Sequence, residues 1–116
     1  MIKSHRASYP TRARSVEAAS LERSLMKLTR AEAQERLKTL NGWTLEGDAI
    51  RKQFVFAGFP EAIAFVDRLA PRAEAADHHP DILINYKRVT LTYSTHSEGG
   101  LTAKDFDGAA IADTLA

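Results

Sequence analysis

The feature that most constrains the fold is a wide apolar stripe at helical spacing over residues 59–70. Its members recur at i, i+4, i+7 and i+11 and are widened by their neighbours: Phe59, Ala62, Ile63, Phe65, Val66, Leu69 and Ala70. A stripe this wide is typical of a helix that lies on a sheet. Pro71 follows, and an interior proline costs roughly 3 kcal/mol unless the helix bends. Because residues 72–76 are strong helix formers, we expect a kinked continuation.

Strand-like alternation flanks this helix on both sides. Residues 43–45 and 50–56 predict a hairpin whose mainly buried face carries Ile50, Lys52, Phe54 and Phe56. Apolar residues alternate again over 82–86 and 89–93, where β-branched side chains are frequent. A second hairpin is therefore predicted, with its turn at Lys87-Arg88.

Two further helices complete the pattern. Thr29 and Glu32 form a capping-box motif, and Asn41-Gly42 supplies a stop, so a helix is predicted over 30–40. Thr102 and Asp105 provide a second acidic cap for a helix that continues to residue 115. The order is α-β-β-α-β-β-α. It predicts an α+β two-layer fold, with a four-stranded antiparallel sheet covered on one face by three helices.

Composition narrows the classes of partner and chemistry. A chain of 116 residues has room for one core. Its lack of cysteine excludes a disulfide scaffold, thiol catalysis and thiolate metal sites. A net charge of +1 gives no reason to expect a nucleic-acid partner. No apolar run approaches the ~20 residues of a membrane helix, so no membrane partner is expected.

The charge is unevenly distributed along the chain. Residues 1–25 carry five basic and two acidic side chains, whereas residues 26–116 carry eleven and thirteen, which together give the +1. We expect a flexible basic extension over 1–25 and one domain over 26–116. The extension has three interpretations: an organelle transit peptide, a nucleic-acid arm with few charges, or an appendage upstream of an alternative start at Met26. The expected compartment is the cytoplasm, with organelle targeting as the alternative.

Candidate acid–base groups cluster in the second half of the chain. His78, His79 and His96 lie near four carboxylates in the sequence: Glu74, Asp77, Asp81 and Asp105. A histidine with the ordinary pKa of ~6.5 can donate or accept a proton near neutral pH. Because Glu74 and His78 are four residues apart, a continuing helix would pair them. Asp105 is expected to serve His96 in the same way.

Two other interpretations of the histidines stay open at this point. His78-His79 before Pro80 also suits a polar helix terminus, where histidine complements the helix dipole. A histidine–carboxylate metal site is the other alternative. The sequence lacks the His-x-His, His-x-x-x-His and His-Glu-x-x-His spacings that set two ligands on one face. No metal ligand is therefore predicted.

Taken together, residues 26–116 resemble the pterin-4a-carbinolamine dehydratase family. The resemblance rests on segments whose order and spacing are specific as a set: Gly42-Trp43, Asp48-Ala49-Ile50 with Phe54 and Phe56, Phe59 leading into the Phe65 helix, Glu74-x-x-Asp77-His78-His79-Pro80, Tyr86-x-x-Val89, and Thr95-His96-x-x-Gly99-Gly100-Leu101-Thr102-x-x-Asp105. The family's α-β-β-α-β-β-α fold agrees with the order predicted above.

The resemblance implies an activity and a set of site residues. The reaction would be dehydration of 4a-hydroxytetrahydropterin to the quinonoid dihydropterin, in the recycling of tetrahydrobiopterin, with neither metal nor organic cofactor. His78, His79 and His96 would be catalytic, and Glu74 and Asp105 would orient them or balance their charge. The substrate-binding residues would be Asp77, His78, His79, Ser94, Thr95, His96 and Ser97.

The resemblance also implies a homodimer or homotetramer, which would pair the exposed sheet edge of a small domain. Two positions depart from the family pattern. Pro71 lies in the helix that presents Glu74, and Ile82 stands where the family often has an aromatic residue. The alternative from another functional class is a non-catalytic regulatory or dimerisation module on the same fold.

Overall fold

The structure, a computed structural model, describes residues 26–116. Along the chain its elements are α1 (Arg30–Leu37), β1 (Thr44–Glu46), β2 (Ala49–Val55), α2 (Phe59–Ala76), β3 (Asp81–Asn85), β4 (Arg88–Tyr93), a 3-10 turn (His96–Glu98) and α3 (Ala103–Leu115). This order and the predicted α+β class are confirmed. The prediction of a flexible extension over 1–25 lies outside the described residues.

The four strands form one antiparallel sheet in the order β1-β2-β4-β3. The two central strands pair Ile50 with Tyr93 and Phe54 with Val89. Successive side chains of a strand point to opposite faces, so these four residues share one face of the sheet. All four are buried, and the three helices pack on this face. The two-layer arrangement follows from that single apolar face.

The core between sheet and helices is largely aromatic. Phe65 of α2 is fully buried and lies 5.0 Å from the ring centroids of both Phe54 and Phe56. Trp43 closes the end of the core, 5.9 Å from the ring of Tyr93. Of the stripe predicted over 59–70, Ala62, Phe65 and Leu69 are buried, so the prediction of a core-facing helix is confirmed for this row. Phe59 and Ala70, at the two ends of the stripe, are exposed.

A cluster of polar contacts joins the C-terminal end of α3 to the central strand β2 and to Trp43, which precedes β1. The Asp113 carboxylate accepts a hydrogen bond from the Trp43 indole at 3.1 Å and forms an ion pair with Lys52 at 2.8 Å. The Lys52 ammonium also donates to the Asn41 carbonyl at 2.8 Å. Because the Lys52 and Asp113 side chains are only 20% and 25% exposed, this pair is less screened than a surface pair.

Two predicted boundaries are wrong by a few residues. The first helix ends at Leu37 and not at residue 40, and residues 38–40 continue as turns that bond three residues back. The Thr39 hydroxyl donates to the Arg36 carbonyl at 2.8 Å, a local bond that competes with helical continuation. The second hairpin turns at Tyr86-Lys87, because Tyr86 adopts a left-handed φ of 57° and Arg88 already opens β4.

The long helix α2 continues through Pro71 to Ala76, so the predicted continuation is confirmed, whereas the expected kink stays a prediction. Pro71 and Asp67, whose carbonyl would accept the missing hydrogen bond, are both exposed. Water can therefore replace the lost donor, and the proline does not end the helix. Among residues 26–116, no helix has the combination of length and apolar character that crossing a bilayer requires.

Candidate active site

The end of α2 determines where the two adjacent histidines lie. Asp77 takes a left-handed conformation with φ 52° and ψ 41°. Its N–H bonds back to Glu74, and the His78 N–H bonds back to the Ala73 carbonyl at 3.2 Å. This Schellman pattern ends the helix and reverses the chain. His78 therefore lies beyond the end of the helix, whereas the i, i+4 pairing with Glu74 required it to be helical.

The two histidines consequently find different carboxylates. His78 Nε2 lies 2.6 Å from Asp105 Oδ1, and His79 Nε2 lies 2.8 Å from Glu74 Oε1. The predicted pairing of Glu74 with His78 is wrong, because the helix ends before His78. The predicted pairing of Asp105 with His96 is also wrong, because His78 occupies the Asp105 oxygen.

The two histidine–carboxylate pairs differ strongly in burial. The His78 and Asp105 side chains are 12% and 0% exposed, whereas those of His79 and Glu74 are 55% and 82% exposed. An exposed pair is screened by water and contributes little, typically below about 1 kcal/mol. The Asp105–His78 contact is therefore the one that can hold a ring in a defined orientation.

Tyr93 forms the inner wall behind His78. Its ring stacks on the imidazole with centroids 6.1 Å apart and planes inclined by 21°. Burial, and secondarily the negative charge of Asp105, raises the pKa of the Tyr93 hydroxyl to about 12. The hydroxyl therefore stays protonated at neutral pH, and Tyr93 serves as a packing surface and not as a general base.

Asp105 is placed by the start of α3. Thr102 caps the helix, and its N–H donates to Asp105 Oδ2 at 2.9 Å. The Thr95 hydroxyl donates to the same oxygen at 2.8 Å. With Oδ2 occupied by these donors, Oδ1 is left for His78. The acidic cap predicted at Thr102 and Asp105 is a capping box in the structure, and it also directs a buried carboxylate towards an imidazole.

The third histidine comes from the segment after β4. Thr95 and Gly100 form an isolated bridge, closed by hydrogen bonds of 2.9 and 3.3 Å, around the 3-10 turn His96–Glu98. Gly99 has a φ of 70°, which favours glycine because a Cβ is disfavoured there. The turn leaves His96 exposed beside His78 and His79 at one open cleft.

This cleft has a volume of about 370 Å³ and brings together residues from three segments. Its lining comprises Asp77, His78, His79, Ser94, Thr95, His96, Ser97 and Lys104. Seven of these are the residues expected to bind substrate. Glu74 and Asp105 do not line it and reach it only through the histidines that they hold.

Lys104 is the lining residue that the sequence interpretation missed. It lies in the first turn of α3, directly before Asp105. The sequence signal that could have identified Lys104 is its position directly before Asp105, which was predicted to belong to the site. A second cavity of about 200 Å³ shares His78 and Lys104 with the cleft but is lined mainly by apolar side chains, including Leu69 and Ile111. Only the larger cleft holds all three histidines, so it is the candidate site.

The cleft suits proton transfer to and from a small molecule. Three imidazoles face one space, and one of them is held by a buried carboxylate. Among residues 26–116, no group of three or more histidine and carboxylate side chains has the arrangement of a metal site. Histidine is the side chain that enzymes most often use as a general acid or base.

Comparisons with known proteins agree on one family. A family model described as Pterin 4 alpha carbinolamine dehydratase matches residues 26–115. A relative from Roseiflexus castenholzii is 57% identical over 88 residues, which is 76% of this chain and 95% of that protein. A relative from Sulfolobus acidocaldarius is 46% identical over 82 residues, 71% of this chain and 90% of that protein. Both are provisionally named pterin-4-alpha-carbinolamine dehydratases.

Two solved structures are also similar. A transcriptional coactivator/pterin dehydratase from Brucella melitensis has a TM-score of 0.75 at 39% identity, covering 78% of this chain and 98% of that one. A pterin dehydratase-like protein described as a RuBisCO assembly factor in the alpha-carboxysome has a TM-score of 0.52 at 26% identity, covering 63% and 84%. By sequence and by fold, this chain belongs to the pterin-4-alpha-carbinolamine dehydratase family.

Proposed function

We propose that this protein dehydrates pterin-4a-carbinolamine to the quinonoid dihydropterin by histidine acid–base catalysis. The observation that carries the proposal is the convergence of His78, His79 and His96 on one cleft of about 370 Å³. Family membership supplies the substrate class. In an organism that hydroxylates aromatic amino acids, this step would return the pterin to the recycling pathway for tetrahydrobiopterin.

The reaction needs one proton delivered and one proton removed. The bond between C4a and the hydroxyl oxygen breaks, and the oxygen leaves as water after it receives a proton. The N5 proton is lost, and a double bond forms between N5 and C4a. One protonated and one neutral imidazole meet both needs, and the proton count balances over the reaction.

The other cleft residues would orient the substrate. Asp77, Ser94 and Ser97 place polar groups along the cleft, which Thr95 also borders. Donors and acceptors of this kind suit the edge of a planar, uncharged ring. Lys104 adds a cation at the same cleft. We expect no cofactor, so a chelator should leave the rate unchanged.

The carboxylates would act through the histidines. Asp105 is fully buried and holds His78, whereas Glu74 is exposed and holds His79. Because the buried pair is screened less, replacing Asp105 should reduce activity more than replacing Glu74. This ranking distinguishes the two carboxylates, for which the family resemblance implied the same role.

The proposal is tested by following the decay of pterin-4a-carbinolamine by ultraviolet absorbance, with the uncatalysed decay subtracted. The full chain should accelerate it, and His78→Ala, His79→Ala and His96→Ala should each lower kcat, with the largest losses at about 10²–10⁴-fold. His5→Ala is the matched control, because the family match does not include residue 5. A wild-type chain that gives no acceleration would refute the proposal.

We also propose that the protein is a homodimer or homotetramer that pairs through β3. This strand lies at the edge of the sheet, and two of its apolar residues, Ile82 and Leu83, are 40% and 61% exposed. Tyr86, in the turn that follows it, is 63% exposed. An uncovered apolar edge strand is a template for pairing with another chain. Leu83→Lys should shift the mass measured by light scattering towards the monomer, and an unchanged mass would exclude this edge as the interface.

The alternative is a non-catalytic regulatory or assembly module. Its support is that the two similar structures carry the descriptions coactivator and assembly factor. The same rate assay separates the alternatives. A folded, oligomeric wild-type chain without dehydratase activity would favour the module.

A further inference from the structure

Thr95 has a different environment from that expected of a substrate contact. It borders the cleft, but the residue is only 6% exposed. Its hydroxyl lies 2.8 Å from Asp105 Oδ2 and 2.9 Å from the Thr102 hydroxyl. The side chain is therefore engaged with the groups behind His78, away from solvent.

The hydrogen bonds of this buried cluster run in one direction. An ionised carboxylate only accepts hydrogen bonds, so the Thr95 hydroxyl must donate to Asp105. The Thr95 oxygen then accepts from the Thr102 hydroxyl, whose own oxygen accepts from the Lys104 N–H at 3.3 Å. Each of the two hydroxyl groups therefore has one acceptor for its proton. The cluster therefore holds the Asp105 carboxylate in a single orientation.

That orientation has a consequence for the imidazole. Asp105 Oδ1 lies 2.6 Å from His78 Nε2, and an acceptor there requires a proton on Nε2. Within residues 26–116, no hydrogen-bond partner lies on the other ring nitrogen, Nδ1. A neutral His78 would then have its free lone pair on Nδ1. The tautomer is thus set by a contact 27 residues away in the chain.

We propose that Thr95 is a positioning residue, whose hydroxyl sets the orientation and tautomer of His78 through Asp105. This inference rests on the proposed dehydratase function for its kinetic consequence, but its structural part does not. Thr95 needs no contact with the substrate in this role. A hydrogen bond to a charged group is about twice as strong as a neutral one, which makes its loss measurable.

The test compares variants that remove or keep the hydroxyl. Thr95→Val has the same shape without the hydroxyl, and Thr95→Ser keeps it. Losing a charge-assisted hydrogen bond should lower kcat about 10- to 100-fold in Thr95→Val with little change in KM, whereas Thr95→Ser should stay within about threefold. Thr90→Val is the matched control: Thr90 lies on β4, is equally buried and does not line the cleft.

A spectroscopic readout separates positioning from general damage. In the full chain without substrate, ¹⁵N–¹H spectra of the neutral His78 ring should report a proton on Nε2. In Thr95→Val a fraction should move to Nδ1, and in Thr95→Ser and Thr90→Val none should move. If Thr95→Val does not fold, Thr95→Ala is the replacement, because it also lacks the hydroxyl.

The outcomes are distinguishable from failure of the proposed function. A wild-type ring protonated on Nδ1, or a Thr95→Val protein with unchanged tautomer and kcat, would overturn the role of Thr95 even in an active enzyme. A wild-type protein with the Nε2 proton but no dehydratase activity would instead refute the function. Loss of activity in Thr95→Ser as severe as in Thr95→Val would also overturn the proposal, because the hydroxyl would not be the cause.

Discussion

At Gly108, helix propensity and tertiary packing predict opposite effects of a Gly108→Ala substitution on the stability of the protein. It lies inside α3, where replacing glycine by alanine normally stabilises a helix by about 1 kcal/mol. An added Cβ, however, would lie 2.6 Å from Cε1 and 2.9 Å from Cζ of Tyr93. Contacts this short require the helix or the ring to move.

The Tyr93 ring has little room to yield. It is 1% exposed and lies between His78, at 6.1 Å, and Trp43, at 5.9 Å, measured between ring centroids. Overpacking a well-filled core typically costs about 1–3 kcal/mol, and a rigid, enclosed ring places this case in the upper part of that range. After the gain in propensity, Gly108→Ala should destabilise the protein by about 1–2 kcal/mol.

The measurement is urea unfolding of the full chain, with the Tm as a second readout. A loss of 1 kcal/mol should lower the Tm of a domain this size by about 4–8 °C. Ala110→Gly is the matched control, because Ala110 is exposed on the same helix and reports the propensity term alone. A Gly108→Ala protein as stable as wild type, or more stable, would show that Tyr93 yields easily and that this packing argument is wrong.

Three further predictions follow from the buried polar groups. With its pKa raised to about 12, Tyr93 stays protonated in the folded state above pH 10, while an unfolded tyrosine ionises. The free energy of unfolding should therefore fall by about 2 kcal/mol between pH 10 and 12. Tyr93→Phe should lack this part of the alkaline loss in urea titrations. Asp113→Ala should destabilise the protein by about 1–3 kcal/mol, seen through Trp43 fluorescence, because it unpairs a part-buried indole and ammonium. Asp105→Asn should lower kcat about 10²–10⁴-fold. If the new amide keeps its oxygen towards the threonine donors, its NH₂ group faces His78 Nε2, and a donor there no longer accepts the Nε2 proton.

Each of these has a control and a contrary outcome. Tyr86→Phe, at an exposed ring, should leave the alkaline loss unchanged, and equal losses in wild type and Tyr93→Phe would contradict the first prediction. Asp107→Asn, an exposed carboxylate of α3, is the control for both carboxylate variants. An Asp113→Ala protein whose stability is within about 0.5 kcal/mol of the control, which is the usual scatter of a surface substitution, would count against the role of Asp113. An Asp105→Asn protein with the kcat of the control would count against the role of Asp105.

Much of the fold could be predicted because its signals are local. The capping boxes at Thr29 and Thr102 involve residues three apart, and both are present in the structure. The apolar stripe over 59–70 specified a helix, and three of its members, Ala62, Phe65 and Leu69, are buried. Alternation over 50–56 and 82–93 specified the strands, and only turns and ends moved by a few residues.

The candidate site was predicted as a set of residues but not as a set of contacts. The order and spacing of the motifs selected the three histidines and their neighbours, and all three line one cleft. The assignment of partners failed because it assumed that α2 continued to His78. Asp77 reverses the chain instead, and a left-handed aspartate is a choice that the sequence allows but does not require.

The sequence by itself determined the order of the elements and the buried face of β2, because periodicity and short-range capping are read within a few residues. The resemblance to the family followed from the order and spacing of the motifs along the chain. Only the tertiary structure decided that Asp105 holds His78, that Glu74 holds His79, that Thr95 faces inward and that Gly108 makes room for Tyr93. These contacts join residues from separate elements, and their partners are set by how helices pack on a sheet and not by spacing along the chain.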